Sequence, residues 1–94
     1  MFKELDPLLH SQLRLAVMSI LIGVETADFV YLKEQTDSTA GNLSVQLEKL
    51  KIAGYIEIEK TFAGKRTRTI CQITQNGKRA LENYVLNLKE YISL

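Results

Sequence analysis

The sequence predicts a mostly helical α+β domain: three helices, a two-stranded β-hairpin and a last helix. Three observations lead there. Apolar residues recur at helical spacing as far as Ala53. Between Tyr55 and Ile73 the period changes to two, on either side of a polar tip that contains glycine. From Gln75 onward the helical spacing returns. A length of 94 residues fits one domain, taken here as residues 1–94.

The first helix is predicted over 7–22. Asp6 can cap it, Pro7 is tolerated at its first position, and Gly23 is a natural stop. Its second half is apolar nearly all round, so both sides should be buried. Thr26 can cap a second helix over 27–35, with Phe29, Val30 and Leu32 facing inward. Thr36-Asp37-Ser38 makes a short polar turn. A third helix follows over 39–53. Its Leu43, Leu47 and Leu50 are spaced by four and three, so they share a face, and Gly54 suits a left-handed cap.

The hairpin is predicted over 55–73. Ile56 and Ile58 alternate with Glu57 and Glu59, and the returning strand turns Thr69, Cys71 and Ile73 inward. Ala63-Gly64-Lys65-Arg66 forms its tip. Thr74 then caps a last helix over 75–92. The order is that of a winged helix-turn-helix: a three-helix core, a two-stranded β wing and a C-terminal helix.

Composition narrows the function. Hydrophobic residues make up 46% and charged residues 24%, an ordinary globular balance. One cysteine cannot form an internal disulfide. One histidine, without a cysteine cluster, gives no support for a zinc site. No metal and no cofactor are expected. No apolar run is long enough to span a membrane, and no secretory signal is visible at the start. A free thiol fits a reducing compartment, so a cytoplasmic location is expected. The sequence holds no glycine-rich phosphate loop, nucleophile elbow or paired-carboxylate motif, so an enzyme is not expected.

The net charge of +1 hides an asymmetry. Residues 1–48 hold three basic and seven acidic side chains, and residues 49–94 hold nine and four. Lys60, Lys65, Arg66 and Arg68 cluster on the hairpin without an acid between them. Such a projection can hold a polyanion on an otherwise neutral protein.

The third helix offers the matching surface. With its leucines inward, Asn42, Val45, Gln46 and Lys49 lie opposite, with Ser44 beside them. Asn and Gln can pair with adenine, and Val45 can touch a thymine methyl. Ser38, Thr39 and Gly41 at the front are small, and hydroxyls with free backbone N–H groups can hold a phosphate. Lys65, Arg66 and Arg68 would contact phosphates or the minor groove. Most polar helix faces are simply wet. Here the polar face, the short turn and the cationic hairpin occur together, which is far more specific.

Longer stretches carry a family likeness: Leu8 to Leu15, Gly41 to Leu50, Ala53-Gly54-Tyr55-Ile56, Arg66-Thr67-Arg68-Thr69 and Ile73 to Leu81. Together they resemble the winged-helix transcriptional regulators related to the MarR family. The resemblance covers nearly the whole chain, in the family's order. It implies a dimer on a near-palindromic double-stranded operator, with the third helix in the major groove and the wing alongside. Full-size members carry longer terminal helices, which build the dimer interface and often an effector pocket.

A homodimer is also suggested by the residues themselves. The last helix carries Leu81, Val85, Leu88 and Ile92 at spacings of four, three and four, flanked by Tyr84 and Tyr91. The first segment adds Leu8, Leu9 and Leu13 to a helix with more apolar surface than one small core needs. Across a two-fold axis, two third helices could lie roughly 34 Å apart, one DNA turn.

The expected function is therefore a homodimeric, sequence-specific DNA-binding regulator, a repressor by preference. One alternative is a winged helix serving as a protein–protein module in a larger assembly, which would show an apolar patch on the third helix. Another is a sensor of a small-molecule effector of unspecified identity, or of redox state, with an apolar pocket between the first and last helices. His10 is expected to be structural, Cys71 buried, and Arg14 paired with a carboxylate.

Overall fold

A computed structural model describes residues 2–92. Its elements are α1 (Gln12–Val24), β1 (Thr26–Asp28), α2 (Phe29–Thr36), α3 (Ala40–Ile52), β2 (Ile56–Ala63), β3 (Arg66–Ile73) and α4 (Gln75–Tyr91). The strands form one antiparallel sheet in the order β1-β3-β2. This is the winged-helix architecture, with a third strand added to the hairpin.

The helix expected from Pro7 is a turn followed by a helix. The Asp6 carboxylate accepts from Leu8 N–H at 2.9 Å, and its carbonyl accepts from Leu9 and His10. Ser11 is then extended, with φ −151° and ψ 129°, so α1 begins only at Gln12. It runs past Gly23 to Glu25, which takes the left-handed region at φ 67°. Glu25 N–H donates to the Leu21 carbonyl, and the Glu25 carbonyl accepts from Ile73 N–H at 3.1 Å. The tie to β3 fixes where the helix stops.

The second helix also starts later than expected. Thr26, Ala27 and Asp28 pair with Gln72, Cys71 and Ile70. A helix cannot begin inside that ladder, so the cap passes from Thr26 to Asp28, whose carboxylate accepts from Tyr31 N–H at 2.8 Å. Within α2, Leu32 is buried, but Val30 is exposed rather than inward-facing. Asp37 closes α2 with φ 50°, and Thr39 caps α3 by accepting from Asn42 N–H at 3.2 Å. Gly54, at φ 79°, takes the chain out of α3 into β2.

The strands are in register over their whole length: Ile56 faces Ile73, Ile58 faces Cys71, and Ala63 faces Arg66. Gly64 and Lys65 are the two turn residues, with positive φ at Gly64 alone, as in a type II′ turn. Thr74 caps α4, accepting from Gly77 N–H at 3.0 Å and donating to the Gly54 carbonyl at 2.6 Å. The helix start lies hard against β2. A Cβ on Gly77 would come within 2.2 Å of the Tyr55 carbonyl oxygen, so only glycine fits.

The core is one cluster. Val17, Met18 and Leu21 of α1 meet Leu32 of α2, the three leucines of α3, and Ile56, Cys71 and Ile73 of the sheet. Leu9, Leu81 and Tyr84 close it. Because α1 packs against α2, α3, α4, β1 and β3, the chain itself covers most of that helix's apolar surface. Of the helix's apolar residues, Leu13, Leu15, Ala16 and Ile20 are half-buried, and Ile22 and Val24 are exposed.

Candidate nucleic-acid interface

Leu43, Leu47 and Leu50 are fully or nearly fully buried, which fixes the rotation of α3. Thr39, Asn42, Ser44, Val45 and Lys49 are exposed, and Ser38 and Gln46 are half-buried. Ser44 and Glu48 of α3 share a surface groove with Ile58 and Lys60 of β2 and Thr69 of β3. The helix face and the wing therefore lie side by side on one surface.

The amides of α3 are not independent. Gln46 Oε1 accepts from the Arg14 guanidinium, and Gln46 Nε2 donates to Asn42 Oδ1 at 3.1 Å. Arg14 Nε donates to the Leu8 carbonyl. The carboxylate partner expected for Arg14 is thus an amide thirty-two residues away. Gln46, expected to be a free base-reading group, already has both ends engaged.

The hydroxyls in front of α3 divide in the same way. Thr36 Oγ1 donates to the Leu32 carbonyl at 2.7 Å. It can then only accept from Ser38, 2.8 Å away, which uses up the Ser38 proton. Thr39 accepts from Asn42 N–H and keeps its own proton. The first-turn N–H groups of Ala40 and Gly41 have no partner within the helix. Donor capacity at this end therefore rests on Thr39 and those two amides, while the Ser38 proton is not available to a phosphate.

The wing cations also fall into two groups. Lys60, Lys65 and Arg66 are exposed at or near the tip. Arg68 is tied at 2.7 Å to Asp28, the α2 cap. The Tyr31 N–H and then Arg68 hold the Asp28 carboxyl below its ordinary value of 3.8. Arg68 thus braces the wing against the start of α2, a role different from the free phosphate contact expected of it.

The proposed dimer residues are scattered by the fold. Leu9, Leu81 and Tyr84 lie in the chain's own core, and Leu8, Leu13 and Leu88 are half-buried. Val85, Tyr91 and Ile92 are exposed. The inward stripe of α4 is Gly77, Leu81, Tyr84 and Leu88, with the four-three-four spacing of the expected seam but turned around the helix. Leu86, exposed on the far side, was not anticipated. Near the end of α4, the Tyr91 hydroxyl donates to the Lys3 carbonyl at 2.6 Å and its ring lies 5.0 Å from that of Phe2.

His10 Nδ1 lies 3.0 Å from the Tyr84 hydroxyl, within hydrogen-bond reach. Cys71 is wholly enclosed. Burial, with Asp28 nearby, pushes its thiol up to about 11, which is the opposite of an activated sensor thiol. The space between the N-terminal segment and α4 is an open groove of about 670 Å³, lined by Glu4, Asp6, Asn76, Arg79, Asn83 and Asn87 among others. Its lining mixes these polar groups with Leu5, Pro7, Ala80 and Tyr84, and it lies open to solvent. Among the described residues, no group of three or more His, Cys, Asp or Glu could hold a metal ion. No described helix is long and apolar enough to cross a membrane.

An outward polar helix, a short preceding turn and a cationic two-stranded wing on the same side make up a winged helix-turn-helix. The chain belongs to the winged helix DNA-binding domain family, whose model matches residues 13–92. It is 37% identical over 79 residues to an uncharacterized protein of Methanocaldococcus jannaschii, covering 84% of this chain and 86% of that one. Among solved structures it resembles a transcriptional regulator homologue from Pyrococcus horikoshii (TM-score 0.86, 29% identity), covering 92% of this chain and 85% of that one. It also resembles BpsR of Bordetella bronchiseptica, whose DNA binding is regulated by 6-hydroxynicotinic acid. There the TM-score is 0.76 and the identity 15%, over 95% of this chain and 67% of that one, so the likeness is one of fold. The winged-helix fold is shared with these solved structures.

Proposed function

We propose that this DNA-binding regulator works as a homodimer on a two-fold-symmetric operator. In this reading α3 enters the major groove, with Asn42, Val45 and Lys49 toward the bases. Thr39 and the first-turn amides hold a phosphate. Lys65 and Arg66 at the wing tip track the adjacent backbone or minor groove. Occupying an operator is the action this surface supplies, so repression is the expected outcome, in the cytoplasm where such DNA lies.

One observation carries the reading: the outward face of α3 is uncovered and stands next to the exposed cationic hairpin. The partner subunit would sit on the second half of α4, where Val85, Leu86 and Ile92 leave apolar surface uncovered. Half-buried Leu88 would lie at its edge.

Selection of binding sites from random duplex DNA, with the mass of the bound complex measured alongside, tests the proposal. The expected result is a palindromic consensus bound by two chains. Absence of any enriched sequence would overturn it and favour a protein–protein module.

A further inference from the structure

We infer that Arg14, which lies on α1 behind the DNA-facing surface, sets the hydrogen-bond polarity of α3, so that α3 selects guanine in preference to adenine. This deepens the DNA-binding proposal and rests on it.

One chain of hydrogen bonds links Arg14, Gln46 and Asn42. A guanidinium has five N–H donors and no acceptor. The Gln46 atom facing Arg14 must therefore be its carbonyl oxygen. That fixes the other end of Gln46 as N–H₂, which can only donate, and its partner on Asn42 must be the carbonyl oxygen. Flipping either amide would set N–H₂ against a donor. Arg14 is itself held by the Leu8 carbonyl, so the chain is anchored at its root. Its free end is the N–H₂ of Asn42, exposed in the first turn of α3.

The exposed row on α3 is consequently made of donors: the Thr39 hydroxyl, the Asn42 amide nitrogen and, two turns on, the Lys49 ammonium. Adenine presents one acceptor and one donor in the major groove, and an amide pairs with it only by offering both of its ends. Guanine presents two acceptors, N7 and O6, which match a donor-only group. Taken alone, Asn42 and Gln46 suggest adenine. Arg14 reverses that assignment without touching the nucleic acid, which makes it a positioning residue.

The test compares base preference in wild type, Arg14→Met, Arg14→Lys and Gln46→Glu at the operator position facing Asn42. Affinity for a random duplex is measured in parallel, and melting temperature checks folding. Wild type should prefer guanine over adenine by about tenfold. Arg14→Met should lose most of that preference while random-duplex affinity stays within about twofold, because phosphate contacts carry no sequence information. Arg14→Lys should restore it in part. Gln46→Glu keeps a partner for Arg14 but can only accept from Asn42, so it turns the Asn42 oxygen outward. Preference should then swing to bases with an exposed amino group, adenine and cytosine. Should Arg14→Met fail to fold, Gln46→Glu alone decides the matter. Adenine preferred by the wild type, or guanine retained by Gln46→Glu, overturns the inference while DNA binding stands. A wild-type protein that binds no duplex overturns the DNA-binding reading as well.

Discussion

The two parts of the surface assigned to DNA are built in opposite ways. On α3, polar groups are spent on one another: Arg14 holds Gln46, Gln46 holds Asn42, and Thr39 holds the Asn42 backbone. At the wing tip, Lys65 and Arg66 stand exposed on a two-residue turn. A held group has a fixed direction and gives up little entropy on contact, which suits discrimination. A free cation adapts to whatever phosphate is near and suits affinity. The wing's own base belongs to the first kind, since Arg68 is tied to Asp28. Charge alone therefore does not say what a basic residue does.

Removing the tip cations together should have the largest effect. Lys65→Ala with Arg66→Ala should weaken binding to every duplex by about fiftyfold at 0.1 M salt and lower the salt slope by roughly two. Titrations at several salt concentrations measure both, and an unchanged slope would break the division. The brace at the wing's base should behave differently. Asp28→Ala removes a helix cap, costs about 1 kcal/mol and lowers the melting temperature by about 5 °C. It also frees Arg68, so the salt slope should steepen by about one. Loss of DNA affinity with an unchanged slope would show that Arg68 acts through wing orientation alone.

The inner end of the wing should respond to pH, unlike its tip. Cys71 has a folded-state value of about 11, above the ordinary value of 9, and the Tyr55 phenol is raised to about 12 by burial and by its hydrogen bond to Asp6. Both are acids kept neutral by the fold. The unfolded chain loses these protons first, so stability is intact below pH 9 and falls as pH rises toward 11. Urea midpoints across that range should decline, and Cys71→Ala should flatten the decline between pH 9 and 10, before Tyr55 contributes. Identical profiles would show that the hairpin root is open to solvent. The smallest effect concerns the front of α3. Nothing lies within 4 Å of a Cβ placed on Gly41, so Gly41→Ala should stabilise the helix by about 0.5 kcal/mol. Its melting temperature should rise by about 3 °C. DNA affinity should fall, because the added methyl meets the bases. A parallel rise in affinity would remove Gly41 from the contact surface.

Much of this fold was legible because it rests on short periods. Leu43, Leu47 and Leu50 gave the phase of α3, and the Ile56-Glu57-Ile58-Glu59 alternation gave the inner face of β2. Gly54 and Thr74 marked an end and a start by backbone chemistry alone. What stayed hidden depends on distant partners. Thr26-Ala27-Asp28 has no strand pattern of its own and becomes one only beside Ile70–Gln72. The phase of α4 could not be told from its spacing, because two apolar stripes fit the same four-three-four interval. The site suffered most from this limit. Gln46 looks available until Arg14 arrives from another helix, and Arg68 looks like a DNA contact until Asp28 is placed beside it.

Thr74 clamps the Gly54 carbonyl, and Gly77 presses against the Tyr55 carbonyl with no room for a methyl group. No slack remains between the last helix and the exit of α3, so the joint works as a weld and not as a hinge. A torque applied at the distal end of α4 would reach the exit of α3 through this joint, with the seventeen-residue helix as its lever arm.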